Sequence, residues 1–235
     1  MDQRSGYLEV ILGPMFSGKT SKLLETQKQY TFCEIPVIAI NHVDDTRYGI
    51  HQMITHDKQN IDCFPASTIR EVLLDHKDKL ESPEPLVVLI NEGQFFPDLY
   101  DAVFELVTRY NKHVYVAGLD GDYNRKRFGS MLDLIPLCDK VTKLHSLCVY
   151  CKNGTKALFS HRLDSKVNDQ KQIGSDDLYV PLCRKCYDNR VGERGPVIKL
   201  KKHSKLFHED DDEYLHEDED ECERRKRRKK CLELK

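Results

Sequence analysis

The chain of 235 residues lacks a long apolar run, and it carries almost no net charge, with a formal value of −2 at pH 7. A membrane-spanning helix needs about 20 consecutive apolar residues, so the sequence predicts no such helix. The first residues form no apolar signal core, and we therefore expect a cytoplasmic protein. The nearly balanced charge provides no broad basic surface, which argues against nucleic acid as the main partner.

The sequence contains nine cysteines, an odd number that does not fit a framework of disulfide pairs. Four of them form two C-x-x-C pairs, Cys148 with Cys151 and Cys183 with Cys186, separated by residues 152–182. Four thiolates complete a tetrahedral Zn²⁺ site and leave no position open for water. The spacing therefore predicts a structural zinc ion rather than a catalytic one. A redox-active dithiol is the alternative, and the two matched pairs argue against it.

Residues 13–20, with the sequence GPMFSGKT, fit the phosphate-binding pattern G-x-x-x-x-G-K-[ST]. An apolar, β-branched run at residues 7–12 precedes them, and residues 21–30, which lack glycine and proline, predict a helix. In such a P-loop, backbone N–H groups and the helix N-terminus bind phosphate. The pattern predicts a nucleoside triphosphate site, with Lys19 on the β- and γ-phosphates and Thr20 on Mg²⁺. A glycine-containing turn in an unrelated α/β protein is the alternative.

Residues 1–141 alternate between apolar strand-like runs and amphipathic helix-like segments. This alternation predicts an α/β fold with a mostly parallel sheet that is covered by helices on both faces. Ligands bind such sheets at the carboxyl ends of the strands, so the P-loop and the residues after Ile90 and Ala117 should meet there. The further predicted strands are residues 37–40, 86–90 and 114–118, and the further predicted helices are residues 68–80 and 98–110.

The rest of the chain divides into two regions. Residues 142–192 hold the paired cysteines and predict a small second domain. Residues 193–235 contain few apolar side chains, with an acidic stretch at 209–223 and a basic run at 224–230, so we predict a disordered tail. The basic run is typical of a nuclear-localisation or nucleic-acid-binding segment. A solvated tail whose opposite charges neutralise each other is an equally good interpretation.

Polar residues follow the predicted strand that ends at Ile90. Glu92 is the only carboxylate at this strand end. A carboxylate in this place faces the Mg²⁺ and the γ-phosphate in P-loop enzymes, so we predict that Glu92 is a general base. The alternative is that Glu92 only caps the next helix. Phe95 and Phe96 are either core residues, or one of them stacks on a flat ligand.

Several short motifs occur in one order along residues 7–187. They are GPMFSGKT at 13–20, DTRY at 45–48, THD at 55–57, EGQFFP at 92–97, LDG at 119–121, RK at 125–126, FG at 128–129 and the two cysteine pairs. In this combination the chain resembles the type II (cytosolic) thymidine kinases. The tail lies outside the resemblance.

The resemblance implies transfer of the ATP γ-phosphate to the 5′-hydroxyl of thymidine or deoxyuridine, with Mg²⁺, by a homotetramer. It implies a RecA-like P-loop core and a zinc-ribbon domain whose lasso loop closes over the nucleoside. The implied catalytic residues are Glu92 and Lys19, and the implied Mg²⁺ ligands are Thr20 and Asn91. The implied ATP site comprises Gly13, Pro14, Met15, Phe16, Ser17, Gly18, Lys19, Thr20, Asp45, Thr46, Arg47, Asn91, Glu92, Gly93 and Gln94. The implied nucleoside site comprises Met15, Phe95, Leu119, Tyr123, Phe128, Gln170, Lys171, Gln172, Ile173, Gly174 and Tyr179.

The chain departs from the family at Asn91, where the family has Asp. Asn offers an oxygen but no charge, so metal affinity or turnover could fall. One alternative is therefore a weakened kinase homologue that acts as an interaction protein. Another is a nucleic-acid-dependent P-loop ATPase that grips its partner with the zinc ribbon and the basic tail. The guanine-reading motif N-K-x-D is missing, which argues against a GTPase. The preference among pyrimidine nucleosides stays open, since Gln170 and Gln172 stand where the family often has apolar residues.

Overall fold

The computed structural model describes residues 5–45, 51–54, 59–163 and 178–192, all within one compact unit, Met1–Pro196. Consequently, the predicted tail and the predicted lasso residues 170–174 lie outside the described residues. In chain order the strands and helices are β1 (Tyr7–Leu12), α1 (Lys19–Phe32), β2 (Val37–His42), β3 (Gln52–Ile54), β4 (Asn60–Asp62), β5 (Phe64–Ala66), α2 (Ile69–Asp75), α3 (Lys77–Glu81), β6 (Val87–Ile90), α4 (Leu99–Thr108), β7 (His113–Gly118), β8 (Lys140–Lys143), β9 (Ser146–Leu147), β10 (Lys156–Ala157), β11 (Phe159–Arg162), β12 (Tyr179–Leu182) and α5 (Arg184–Gly192).

A six-stranded sheet with the order β5-β2-β6-β7-β1-β8 forms the centre of the fold. Every neighbouring pair in it is parallel. The α/β class and the mostly parallel sheet that the sequence predicts are therefore confirmed. Because all strands point the same way, the segments that follow β1, β2, β6 and β7 emerge at one edge of the sheet.

The sheet is buried on both faces, and two separate apolar cores result. In β6, Val88 and Ile90 pack into the core that contains α2 and α4, whereas Val87 and Leu89 pack into the core that contains Leu23 of α1. A strand buried on both faces needs apolar residues at every position. This is why residues 86–90 show an unbroken apolar run rather than an alternating pattern.

The helix predicted over residues 68–80 is divided into α2 and α3. A capping box between Thr68 and Glu71 starts α2, and His76 ends it. The His76 backbone leaves the helical conformation with φ −115°, while its Nδ1 atom lies 2.9 Å from the Val72 carbonyl oxygen. The Asp98 carboxylate also accepts hydrogen bonds from the first two amides of α2, which ties this helix to the segment between β6 and α4.

A smaller substructure follows the sheet. Strands β9 and β10 form one antiparallel pair, strands β11 and β12 form another, and α5 follows them. We refer to these four strands with α5 as the ribbon. Among the helices of the described segments, none has the length and apolarity that a membrane crossing requires.

Replacement of Leu106 by alanine tests the core beneath α4. Leu106 is 0% exposed, whereas Leu74 on α2 is 73% exposed. We expect Leu106→Ala to lower the free energy of unfolding by about 2–5 kcal/mol, because the change leaves a cavity. The matched control, Leu74→Ala, should change it by only about 0.5 kcal/mol. Equal urea-unfolding midpoints for the two variants would contradict this packing.

Candidate active site

The P-loop lies between β1 and α1, where the sequence places it. Gly18, at the start of α1, has φ 83°, a conformation that favours glycine. A Cβ atom on Gly13 would lie 2.6 Å from Ser17 Oγ and 2.7 Å from the Leu144 carbonyl oxygen. Both glycines of the motif are therefore required by the backbone, one for its dihedral angles and the other for close packing.

The polar groups of this loop are suited to binding an anion. The Ser17 hydroxyl is buried, and no described residue hydrogen-bonds to it. Lys19 Nζ donates to the Pro14 carbonyl oxygen at 2.8 Å, which holds the ammonium group beside the loop. The first turn of α1 contains no acidic residue that would compete for its N-terminal amides. An orphaned hydroxyl, a lysine and a helix N-terminus together fit the phosphates of a nucleotide.

Glu92 is the second residue after β6, and its backbone lies in the left-handed region, with φ 53° and ψ 41°. It precedes a 3₁₀ turn, Gly93–Phe95, as the N-cap residue, but its side chain makes no capping hydrogen bond there. The carboxylate instead accepts a 2.6 Å hydrogen bond from Gln94 Nε2. A non-glycine residue with positive φ costs free energy, and such residues concentrate at functional sites. The geometry thus argues against Glu92 as a simple helix cap.

Gln94 connects Glu92 to the neighbouring strand end. Its side chain is buried, and its Oε1 accepts the Leu119 N–H at 2.9 Å while its Nε2 donates to Glu92. One amide side chain therefore fixes the carboxylate relative to the end of β7. The sequence placed Gln94 in the ATP site, and the structure shows that its side chain restrains Glu92.

Asn91 is buried at the end of β6 and is joined to the end of β2. Asn91 Nδ2 donates to Asn41 Oδ1 at 2.9 Å, and Asn41 Nδ2 donates to Asp45 Oδ2 at 3.3 Å. The carboxylate of Asp45 is thereby joined, through Asn41, to Asn91. Carboxylate, amide and hydroxyl oxygens are kinds of ligand that Mg²⁺ prefers, so the side-chain chemistry of Asp45, Asn91 and Thr20 is compatible with this metal. Thr46 and Arg47, which the sequence assigns to the same site, lie outside the described residues.

The aromatic residues predicted for the nucleoside pocket fall into two groups. The rings of Phe95 and Phe128 meet edge to face, with centroids 5.5 Å apart. Phe95 is half-buried and also contacts the ring of His42, whereas Phe96 is 2% exposed and belongs to the core. Phe96 is therefore a core residue, and Phe95 keeps part of its surface accessible, whereas stacking of Phe95 on a flat ligand stays a prediction.

Tyr123 and Tyr179 form the second group, and Arg162 connects them. The Arg162 guanidinium lies 3.8 Å from the centroid of the Tyr123 ring, and Arg162 is paired with Tyr179 across β11 and β12. Burial raises the pKa of Tyr179, and the positive charge of Arg162 opposes that shift. The remaining predicted nucleoside residues, Gln170, Lys171, Gln172, Ile173 and Gly174, lie outside the described residues.

The ribbon is attached to the sheet by polar contacts near these residues. The Ser160 hydroxyl accepts the Met15 N–H at 2.9 Å, which joins β11 to the P-loop. The Tyr187 hydroxyl of α5 donates to the Tyr123 carbonyl oxygen. Arg125 forms an ion pair with Asp188 at 2.7 Å. The ribbon therefore contacts both the phosphate loop and the segment after β7.

The four paired cysteines converge within the ribbon. Their sulfur atoms all lie within 4.8 Å of one another, and Cys151 Sγ is 3.7 Å from Cys183 Sγ and 3.5 Å from Cys186 Sγ. In a tetrahedral site with Zn–S bonds of about 2.3 Å, the sulfur atoms are about 3.8 Å apart. The cluster therefore fits one zinc ion with four thiolate ligands.

Comparison with known proteins identifies the family of this sequence. The sequence profile of one family, described as thymidine kinase, matches residues 6–187. The chain belongs to the thymidine kinase family. It is 37% identical over 208 residues to thymidine kinase 1 of Dictyostelium discoideum, covering 86% of this chain and 87% of the relative. It is 41% identical over 210 residues to a rice thymidine kinase, covering 86% and 74%. With the cytosolic thymidine kinase of Cricetulus griseus the identity is 37% over 196 residues, covering 83% and 79%.

Membership in the thymidine kinase family confirms the resemblance seen in the sequence and makes the chain a kinase. Sequence reasoning did not single out Asn41, Arg162 and Tyr187, which hold predicted site residues in place. Asn41 and Tyr187 act through hydrogen bonds between distant parts of the chain, and no local pattern reveals such bonds.

Replacement of Cys148 by serine tests the metal cluster. We expect the purified wild-type protein to carry about one zinc ion per chain and Cys148→Ser to lose it, because three thiolates and a hydroxyl bind zinc far more weakly. Metal content is measured by atomic absorption, together with the thermal midpoint. The control is Cys33→Ser, a change at an exposed cysteine outside the cluster. Full zinc content in Cys148→Ser would contradict the assignment.

Proposed function

We propose that this chain transfers the γ-phosphate of ATP to the 5′-hydroxyl of thymidine or deoxyuridine and releases ADP and the nucleoside 5′-monophosphate. The observation that carries the proposal is a restrained carboxylate, Glu92, on the same sheet edge as a P-loop. The relatives named above, which are thymidine kinases by name, support the choice of substrate.

In the proposed reaction the P-loop amides and Lys19 bind the β- and γ-phosphates. Mg²⁺, when bound, neutralises phosphate charge, and Thr20, Asp45 and Asn91 would hold it. The 5′-oxygen forms a bond to the γ-phosphorus, the bond from that phosphorus to the bridging oxygen breaks, and ADP leaves with the electron pair. The proton of the 5′-hydroxyl passes to the Glu92 carboxylate, which Gln94 keeps in position.

The proposed nucleoside site lies between the phosphate edge and the ribbon. We assign the base to the surface formed by Phe95 and Phe128, with Met15 and Leu119 as neighbouring walls and the lasso, residues 170–174, as a cover. Tyr123 and Tyr179 close the side that faces the ribbon. A pocket that hydrogen-bonds its substrate rejects analogues that leave its polar groups unpaired. Selectivity for pyrimidine nucleosides follows from such a pocket.

The ribbon is assigned a structural role, with zinc bound by Cys148, Cys151, Cys183 and Cys186. The ribbon lies within the predicted second domain, residues 142–192, and its contacts with Met15 and Tyr123 support a function in shaping the nucleoside site. We further assign the protein to the cytoplasm as a homotetramer, with nuclear entry through the basic run of the tail, residues 193–235. The relative from Cricetulus griseus is named as cytosolic, which supports the cytoplasmic assignment.

Replacement of Glu92 by glutamine tests the general base. We expect Glu92→Gln to lower the rate of phosphate transfer by roughly 10²–10⁴-fold while ATP binding is retained, because the amide cannot accept the hydroxyl proton. Rates are measured with saturating ATP, Mg²⁺ and thymidine, and ATP affinity by calorimetry. The control Glu105→Gln removes a carboxylate from α4, where it pairs with Arg70 and Arg109. An unchanged rate in Glu92→Gln would remove this residue from the mechanism.

A panel of the four deoxynucleosides and deoxyuridine tests the substrate. We expect monophosphate formation from thymidine and deoxyuridine in the presence of ATP and Mg²⁺, little from the purine nucleosides, and no response to added DNA. Stimulation by DNA that falls steeply with salt would favour a nucleic-acid-dependent ATPase instead. No transfer to any nucleoside by folded, zinc-loaded protein would favour the weakened homologue.

A further inference from the structure

Asn91, Asn41 and Asp45 form a network in which the donor and the acceptor of each hydrogen bond are fixed. All three side chains are buried, with exposures of 3%, 2% and 8%. An amide side chain both donates and accepts, whereas an ionised carboxylate only accepts. Asp45 therefore requires a donor, and Asn41 meets that requirement with its Nδ2 atom.

The orientation of Asn41 sets a requirement on residue 91. Because the amide nitrogen of Asn41 is turned to Asp45, its Oδ1 atom faces the end of β6 and accepts from Asn91 Nδ2 at 2.9 Å. Residue 91 must therefore be a donor. An ionised aspartate there would place its oxygen lone pairs against Asn41 Oδ1. If the Asn41 amide turned by about 180°, its Oδ1 atom would face the Asp45 carboxylate, and two acceptors would then meet at that contact instead.

We infer that Asn41 is a positioning residue that fixes the Asp45 carboxylate and makes an amide at position 91 obligatory. Asn91 is then matched to Asn41, and it is not simply a weakened version of the family's aspartate. Within this network the negative charge belongs to Asp45, and Asn91 adds none. The connection to Mg²⁺ rests on the proposed function, whereas the direction of the network does not.

Four other ionisable residues lie close to this network in the chain or in space, or belong to the P-loop beside it: His42, Cys63, Glu92 and Lys19. His42 Nδ1 lies 3.2 Å from the Asp44 backbone nitrogen and 3.6 Å from the Asp44 carboxylate. Burial, followed by the charges of Asp45 and Asp62, raises the pKa of Cys63 to about 11, so this thiol is neutral near pH 7. Glu92 follows Asn91 in the chain, and Lys19 of α1 donates from Nζ to the Pro14 carbonyl oxygen of the P-loop.

The variant Asn91→Asp tests the inference without nucleotide, so its failure is distinguishable from failure of the kinase proposal. At pH 8 we expect its Tm to lie about 3–8 °C below that of the wild type, because two acceptors face each other in a buried place. Only a protonated carboxyl group at position 91 can donate to Asn41, so the pKa of the introduced carboxyl in the folded state should rise above the unfolded value of about 3.9. The Tm deficit should therefore shrink as the pH is lowered from 8 to 5. The control, Asn111→Asp at an exposed position, should show no such trend.

A double variant provides the matching rescue. Lysine has three donors and no acceptor, so Asn41→Lys combined with Asn91→Asp can satisfy both carboxylates. We expect the double variant to recover most of the Tm lost at pH 8 and to lose the pH trend. An Asn91→Asp protein that is as stable as the wild type at pH 8, or whose deficit matches the control at every pH, overturns the inference. If Asn91→Asp does not fold at pH 8, the double variant must still fold there, and its failure would equally overturn the inference.

Discussion

The parallel pairing of the central strands is the constraint on which the rest of this structure depends. Strand β1 pairs with β7, β7 with β6, and β6 with β2, all in the same direction. The P-loop, Leu119, Glu92 and the segment leading to Asp45 therefore emerge at one edge, although they are far apart in the chain. Apolar burial on both faces keeps these strands rigid, so the polar groups at their ends occupy fixed positions.

Amide side chains supply much of the order at this edge. Gln94 accepts a backbone N–H from one strand end and donates to Glu92 at another. Asn41 likewise accepts a hydrogen bond from Asn91 and donates one to Asp45. A group that donates and accepts at once can connect two strand ends without adding charge. Gln94 and Asn41 thus position Glu92 and Asp45 without adding charge of their own.

Several parts of the fold and of the site could be predicted from local sequence. The strands at 7–12, 37–40 and 86–90, the P-loop and the cysteine pairs each have a short-range pattern, and the structure contains all of them at these positions. The short strand β5 and the edge strand β8 lacked a clear signal, because one has three residues and the other is mostly exposed. The break at His76 also went unpredicted, since the apolar positions around it fit one continuous helix.

The sequence by itself determined the chemical groups of this protein: a phosphate loop, one carboxylate after β6 and four thiolates. Only the tertiary structure decided which groups meet. The register that places Ile40 opposite Ile90 brings Asn41 beside Asn91, and burial separates Phe96 in the core from Phe95 at the site. Hydrogen bonds between residues distant in the chain depend on strand order and register. These are properties of the whole sheet, and no local stretch of sequence contains them.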